Sequence, residues 1–222
     1  MRTLIINGSP KAKNGNTEIF IKKFVKEMKS SYEICYAAKE DSLQIANYMK
    51  DFDTVILAMP LYVHAMPGIV MKIIECMEPT LDAGKTMGFI VQSGFIESAQ
   101  SEYLERYLSA LTNNLNYTYL GTVIKGGSAG TYMMPEQMNK KLFKQLHMLG
   151  EDFETNGSFN IEVSKELAKP NKLPKGKSGL FHFFNKLGLG DSMFWNMMLK
   201  KNNAQDKRFD KPFVDKLGCE IE

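Results

Sequence analysis

Short apolar runs alternate with amphipathic stretches along most of the chain. Apolar runs of the kind found in fully buried strands occur at residues 3–6, 54–59, 87–91 and 120–124, and a more polar run occurs at 32–36. The intervals between them carry apolar residues at helical spacing. Because each parallel crossover needs a covering element, this order predicts an α/β fold with a five-stranded parallel sheet and helices on both faces.

The regular alternation weakens after Gly150. Residues 169–179 form a basic segment rich in proline and glycine, which is typical of a loop. We therefore expect a sheet domain at residues 1–160 and a basic, helical C-terminal extension at residues 161–222, rich in aromatic residues and methionine.

Composition excludes several classes of protein. The chain has 222 residues, of which 44% are hydrophobic and 24% charged, as is typical of a globular protein with a sizeable core. The net charge of +3 is too small to indicate nucleic-acid binding, and Cys35, Cys76 and Cys219 are too scattered for a metal cluster or a disulfide framework. No apolar run reaches the roughly 20 residues of a membrane-spanning helix, and no signal-peptide pattern is present, so we expect a cytoplasmic protein.

The stretch "GSPKAKNGNT" at residues 8–17 joins the first apolar run to the first helical pattern and contains no acid. Backbone N–H groups and the positive end of a helix dipole converge at such a position, and Ser9, Asn14, Asn16 and Thr17 add side-chain donors. These features favour a phosphate-binding loop, although the same residue types also make ordinary turns and helix caps. The glycine spacing does not match the dinucleotide fingerprint, and Asn16 stands where a P-loop has its lysine.

Two segments together resemble the flavodoxin-like NAD(P)H-dependent FMN reductases and NAD(P)H:quinone oxidoreductases. The first is "NGSPKAKNGNT", which is similar to the family's phosphate-binding loop, and the second is "AMPLYVHAMPGIVMKIIE" after the third strand. The resemblance covers roughly residues 1–150. It implies a flavodoxin-like three-layer sandwich that binds FMN, accepts hydride from NADPH or NADH at flavin N5, and passes electrons to a quinone, flavin, nitro- or azo-type acceptor.

The resemblance also implies which residues contact the flavin. The first loop would hold the 5′-phosphate, the loop after the third strand would line the isoalloxazine ring, and the loop after the fourth strand would contact its pyrimidine end. No side chain would act as a nucleophile or a metal ligand, and His64 is left out because loop histidines are most often solvated or hydrogen-bonded. The expected cofactor-binding residues are Ser9, Lys11, Asn16, Thr17, Pro60, Leu61, Tyr62, Val63, Ser93, Gly94 and Phe95.

Two other functions stay open. Residues 126–130, "GGSAG", match the G-x-S-x-G motif of serine hydrolases, with Ser128 as nucleophile and Asp152 or Glu154 and then His182 in triad order. Few strand patterns follow the motif, however, where a hydrolase fold requires them. The second alternative is a flavodoxin-like one-electron carrier that docks on a protein partner, although such carriers are typically smaller and strongly acidic.

The extension carries many large apolar side chains between Phe181 and Leu199, with lysines beside them. Asp191 or Ser192 is placed to cap a helix that ends near Lys201. The apolar side chains have three explanations: packing on the sheet domain, contact with a second copy in a homodimer, as is common in the resembling family, or attachment to a membrane surface or a partner protein.

Overall fold

The computed structural model of the chain describes residues 2–174 and 191–211. The chain forms two compact units, Met1–Lys172 and Leu173–Glu222. The first unit contains a five-stranded sheet, as predicted, and all the neighbouring strands in it are parallel. Its strands are β1 (Thr3–Asn7), β2 (Tyr32–Tyr36), β3 (Thr54–Pro60), β4 (Thr86–Gln92) and β5 (Thr118–Lys125). Their order across the sheet is β2-β1-β3-β4-β5.

Helices cover both faces of this sheet. Those of the first unit are α1 (Asn16–Phe24), α2 (Ser42–Tyr48), α3 (Gly68–Glu75), α4 (Glu102–Asn114), α5 (Lys140–Asn156) and α6 (Ile161–Leu167). The start of α2 is capped by Asp41, whose carboxylate accepts hydrogen bonds from the backbone N–H groups of Leu43 and Gln44. The second unit contains a helix at Asp191–Lys201, which matches the helix expected there.

The central strands are buried on both faces, which explains why their sequences are apolar throughout. Leu4 and Ile6 of β1 face the core formed with α2, α3 and α4, whereas Ile5 faces the core formed with α1, α5 and α6. Successive side chains of a strand point to opposite faces, so a continuous apolar run is needed where both faces are covered. The three-layer α/β sandwich predicted from the alternating pattern is therefore confirmed.

Helical structure continues beyond Gly150, where the sequence pattern weakens. Helix α5 extends to Asn156 and ends at Gly157, which has a φ of 65°. Helix α6 follows within the first unit and buries Val163 and Leu167 in its core. Its seven residues give too little periodicity to be recognised from sequence alone.

Candidate functional site

The strand order places a topological switch point between β1 and β3, because the chain moves to opposite sides of the sheet after these two neighbouring strands. Ligands of open α/β sheets bind at such a point, outside the carboxyl ends of the strands. Five loops leave the sheet at this edge, one after each strand, and those after β1, β3, β4 and β5 form the candidate site. We name them after the preceding strands: the β1 loop (8–15), the β3 loop (61–67), the β4 loop (93–101) and the β5 loop (126–139).

The β1 loop folds tightly upon itself. The backbone N–H of Ser9 donates to Asn7 Oδ1 at 3.0 Å, and the buried Ser9 hydroxyl accepts from the N–H of Lys11 at 3.2 Å. Gly15 closes the loop, since a Cβ at this position would lie 3.0 Å from Ser9 Oγ and 3.1 Å from Lys11 Cβ. The loop therefore has the close backbone approach that a phosphate cradle requires.

Helix α1 begins at the end of this loop, and Gly15 at its N-cap supplies no side-chain cap. Its first-turn N–H groups are thus left without the side-chain acceptor that usually satisfies them. Thr17 lies in this turn with its side chain buried, and its hydroxyl oxygen accepts a hydrogen bond from Gln92 Nε2 at 3.4 Å. An anion such as a phosphate matches this set of donors.

The side chain of Asn16 is directed to the β5 loop. Its Nδ2 donates to the carbonyl oxygen of Ser128 at 2.7 Å, and its Oδ1 accepts from the backbone N–H of Tyr132 at 3.1 Å. The ammonium group of Lys11 lies 5.5 Å from the centre of the Tyr132 ring. Asn16 thus joins the β1 and β5 loops through its amide, and Lys11 remains exposed at their boundary.

The buried carboxylate of Glu18 holds the residues around the β1 loop in place through hydrogen bonds. Glu18, in the first turn of α1, accepts hydrogen bonds from Asn7 Nδ2 at 3.0 Å and from the Tyr36 hydroxyl at 3.2 Å. Burial and the nearby charge of Glu18 raise the pKa of Tyr36. Glu18 holds the ends of β1 and β2 against α1, and no sequence motif pointed to it.

The β3 loop ends in a tight turn with an unusual backbone. Tyr62 and Ala65 pair through two hydrogen bonds of 2.8 and 3.0 Å, and the two residues between them, Val63 and His64, have φ values of 49° and 64°. Positive φ disfavours β-branched residues in particular, so Val63 is strained, and its side chain is 85% exposed. Strain of this kind concentrates at functional sites.

The β4 loop contacts both of its neighbours. The hydroxyl of the buried Ser93 donates to the carbonyl oxygen of Phe95 at 3.1 Å, while the backbone N–H of Ser128 donates to the carbonyl oxygen of Ser93 at 2.8 Å. The Phe95 ring stacks on His64 of the β3 loop. Gly94 lies opposite Ala129, whose Cβ would be 3.4 Å from a Cβ added to the glycine.

Gln92 connects the loops and was missed by the sequence analysis. It ends β4 opposite Pro60 in the sheet, and its backbone carbonyl accepts from the N–H of Leu61 at 2.8 Å. Its side-chain amide donates to Thr17 and accepts from the Ser128 hydroxyl. A glutamine at the end of a buried apolar strand was the available signal, because a buried polar side chain needs partners.

The structure does not favour Ser128 as a hydrolase nucleophile. Its buried hydroxyl donates to Gln92 and lies 2.8 Å from the carbonyl oxygen of Ser93. Asp152 accepts a hydrogen bond from Asn160, and Glu154 accepts two from Ser30. The third proposed triad member, His182, lies outside the described residues.

Further observations concern metal binding, the Cys35 thiol and membrane-spanning helices. Within residues 2–174 and 191–211, no three His, Cys, Asp or Glu side chains lie together in a way that would hold a metal ion. Burial, together with the charge of Glu40, raises the pKa of Cys35 to about 12. In the same part of the chain, no helix has the length and apolar character to cross a membrane.

Comparison with solved structures identifies proteins of the same architecture. An NADPH-quinone reductase from P. pentosaceus is 21% identical, with a TM-score of 0.53 over 70% of this chain and 99% of its own. An FMN-dependent NADH-azoreductase from Bacillus anthracis, in complex with FMN, is 18% identical, with a TM-score of 0.55 over 69% and 99% of the two chains. An NAD(P)H:quinone oxidoreductase from Methanothermobacter marburgensis is 12% identical, with a TM-score of 0.53 over 69% and 97%.

Comparisons with protein-family models and with curated protein sequences gave no match. At the identities found, the structural likeness establishes architecture and leaves activity to be argued from the site. The strand order, the parallel pairing and the helices on both faces of the sheet agree with this architecture. The chain therefore has a flavodoxin-like fold, as predicted from its sequence.

Proposed function

We propose that the chain is an FMN-dependent oxidoreductase that takes hydride from NADPH or NADH and reduces a small-molecule acceptor of the quinone, flavin, nitro- or azo-type. The observation that carries the proposal is the arrangement of the β1, β3 and β4 loops at one switch point of a flavodoxin-like sheet. Bound FMN would supply the redox chemistry at N5, so the chain's own residues need only bind, orient and polarise.

The β1 loop is assigned to the 5′-phosphate of FMN. The hydroxyl oxygens of Ser9 and Thr17 both act as acceptors within the protein, from Lys11 N–H and Gln92 Nε2 respectively, so the hydroxyl hydrogens are available to donate to a phosphate. The uncapped first turn of α1 adds backbone donors, and Lys11 adds positive charge. Asn16 contributes to the phosphate site indirectly, by holding the β5 loop beside it.

The β3 loop is assigned to the isoalloxazine ring. The N–H groups of Leu61 and Tyr62 already donate to Gln92 and Ala65, respectively. Within residues 61–64, the N–H groups of Val63 and His64 at the strained turn are therefore the ones that can donate to the edge of the ring. Donors fixed in this way stabilise negative charge on the ring without reorganising during the reaction. We assign Pro60 and Tyr62 to the same wall, and Ser93, Gly94 and Phe95 to the pyrimidine end.

Structural relatives support the cofactor and the reductant. One relative, at 18% identity, is described as an FMN-dependent NADH-azoreductase and contains FMN, and two others are described as quinone reductases that use NADPH or NAD(P)H. The proposal extends to a cytoplasmic homodimer, supported by composition and by exposed apolar side chains of the extension such as Trp195 and Met197. Sedimentation analysis across a concentration series tests the dimer.

The proposal is tested by the visible absorption spectrum of protein mixed with FMN and desalted, before and after anaerobic addition of NADPH and then NADH. We expect the flavin spectrum to be retained and then bleached directly by one of the two nucleotides. Retained flavin that responds only to a one-electron reductant would support the carrier instead. Loss of all flavin on desalting would contradict the proposal.

A matched pair of variants tests whether the β1 loop is the site. Thr17→Val removes one buried hydroxyl at nearly constant volume, and we expect FMN to bind about tenfold more weakly, which corresponds to about 1.4 kcal/mol. Thr122→Val is the control, because it removes a hydroxyl that bonds to Tyr119 in β5. Equal FMN affinity in the two variants would show that the phosphate binds elsewhere.

A further inference from the structure

A second concave surface lies next to the proposed flavin site, between α3, α4 and the β3 loop. It is a cleft of about 380 Å³, within the size range of small-molecule pockets. Its walls consist mainly of apolar and aromatic side chains. They include Met66, Met71, Ile74, Tyr103, Leu104 and Tyr107.

The chemistry of the walls restricts what the cleft can bind. Among its described lining residues, the side chains that can ionise are Glu75, His64 and the two tyrosines. No lysine or arginine is among them. A phosphate or carboxylate would find no lysine or arginine there and would lie near the carboxylate of Glu75, so the dinucleotide reductant does not match this cleft. Methionine side chains adapt to flexible apolar ligands. The walls therefore suit an uncharged, flexible aliphatic group.

His64 connects the cleft with the residues assigned to the flavin. The imidazole ring stacks on Phe95, which is assigned to the flavin, and the same residue lines the cleft. Ala65, which closes the turn by pairing with Tyr62, also lines it. The β3 loop thus faces the proposed flavin site through Tyr62 and Val63, and it forms the wall of the cleft through His64, Ala65 and Met66.

We propose that this cleft binds the aliphatic side chain of a quinone substrate. The inference rests on the proposed function, because the quinone ring would lie at the flavin while its side chain passes His64 and enters the cleft. Tyr103 is 71% exposed and Met71 is 42% exposed, so both have apolar surface for a side chain to cover. The site would therefore prefer quinones with an aliphatic side chain to the same ring without one.

The first experiment compares kcat/KM for a series of benzoquinones with the same ring and side chains of zero to three isoprene units. For the wild-type protein we expect kcat/KM to rise with chain length, by at least tenfold across the series, because each buried methylene adds favourable transfer free energy. Met71→Ser and Tyr103→Ser should remove this rise and leave the rate with the unsubstituted quinone unchanged. Met148→Ser, at a 39% exposed position in α5 and outside the cleft, is the control.

A second measurement detects binding without turnover. In protein labelled at its methionine methyl groups, the oxidised three-isoprene quinone should shift the NMR signals of Met66 and Met71 and leave that of Met148 in α5 unchanged. The same shifts should be absent with the unsubstituted quinone. Because no reductant is present, this result does not depend on electron transfer.

The outcomes separate the two proposals. A kcat/KM that is independent of chain length, with no shift at Met66 or Met71, overturns the cleft assignment while the oxidoreductase stands. Selective methyl shifts without reduction of any quinone support the cleft and contradict the proposed function. If Met71→Ser slows all acceptors equally and also dissociates a dimer, the cleft face is an interface between copies, and the inference is wrong.

Discussion

The rings of His64 and Phe95 stack with nearly parallel planes, inclined by 6°, and their centroids are 5.6 Å apart. This contact joins the β3 and β4 loops. Within the described residues, the only backbone hydrogen bond between these two segments is the one from Leu61 N–H to the carbonyl oxygen of Gln92, where the strands end. The β3 loop is assigned to the edge of the isoalloxazine ring and the β4 loop to its pyrimidine end, so the stack fixes the positions of these two loops relative to each other. The residues on either side of this contact are the natural place to test the site.

Phe95→Ala should lower the affinity for FMN about tenfold, because loss of the stack frees the β3 and β4 loops to move apart. Phe95 is 44% exposed, so the free energy of unfolding should change little. FMN titration by fluorescence quenching measures the affinity. Ile96→Ala removes a side chain of similar exposure from the next position and should leave the affinity unchanged; an equal loss in both variants would mean that the stack has no special role.

Gly15→Ala should weaken FMN binding by at least tenfold. The added Cβ would lie 3.0 Å from Ser9 Oγ and 3.1 Å from Lys11 Cβ, so the β1 loop must open to accommodate it. Equilibrium dialysis against FMN measures the effect. Gly68→Ala is the matched control, since a Cβ at that position has no neighbour within 4 Å. Unchanged binding by the Gly15 variant would exclude the β1 loop as the phosphate site.

Asn16→Ala should destabilise the protein by about 1–2 kcal/mol, because it removes the partner of Ser128 O and of Tyr132 N–H. The β5 loop should also become more accessible to limited proteolysis. Urea unfolding and mass mapping of the cleavage sites provide the two measurements. Asn113→Ala, at an exposed position in α4, is the control and should change neither; cleavage outside residues 126–139 would contradict the assigned role of Asn16.

Stability should fall as the pH drops below about 6.5, and part of this loss should come from His147. Its Nε2 atom is buried without a hydrogen-bond partner, and burial together with the charges of Lys26 and Lys23 lowers its pKa below the usual 6.5, whereas Glu27 and Glu151 oppose the shift. The unfolded chain then binds the proton more readily than the folded protein between the lowered pKa and 6.5, so protonation favours unfolding.

This dependence is measured by urea unfolding of the wild-type protein and of His147→Gln at about pH 7.5 and about pH 5.5. The variant should lose less stability between the two pH values than the wild-type protein does. Comparing the two proteins at each pH removes the contribution of the carboxylates, which both share. Identical losses would show that His147 titrates alike in the folded and unfolded states.

The sequence by itself determined the sheet, its parallel strands and the position of the β1 loop. These features depend on local information: the length of each apolar run, the helical spacing between runs, and the residue types at a strand-to-helix junction. The apolar run at residues 54–59 predicts a strand, and in the structure all seven residues of the strand Thr54–Pro60 are buried. The short helix α6 was missed for the corresponding reason, since seven residues give little periodic signal.

Only the tertiary structure decided how the polar groups of the site are shared. Asn16 and Ser128 are 112 positions apart, and Gln92 and Thr17 are 75 apart, so the choice of hydrogen-bond partner follows from the strand order and cannot be predicted from the local pattern. The same reason explains the support from Glu18 and the cleft between α3 and α4. Local periodicity specifies elements and faces, whereas a site at the carboxyl edge of a sheet is assembled from residues that meet only when the whole sheet has formed.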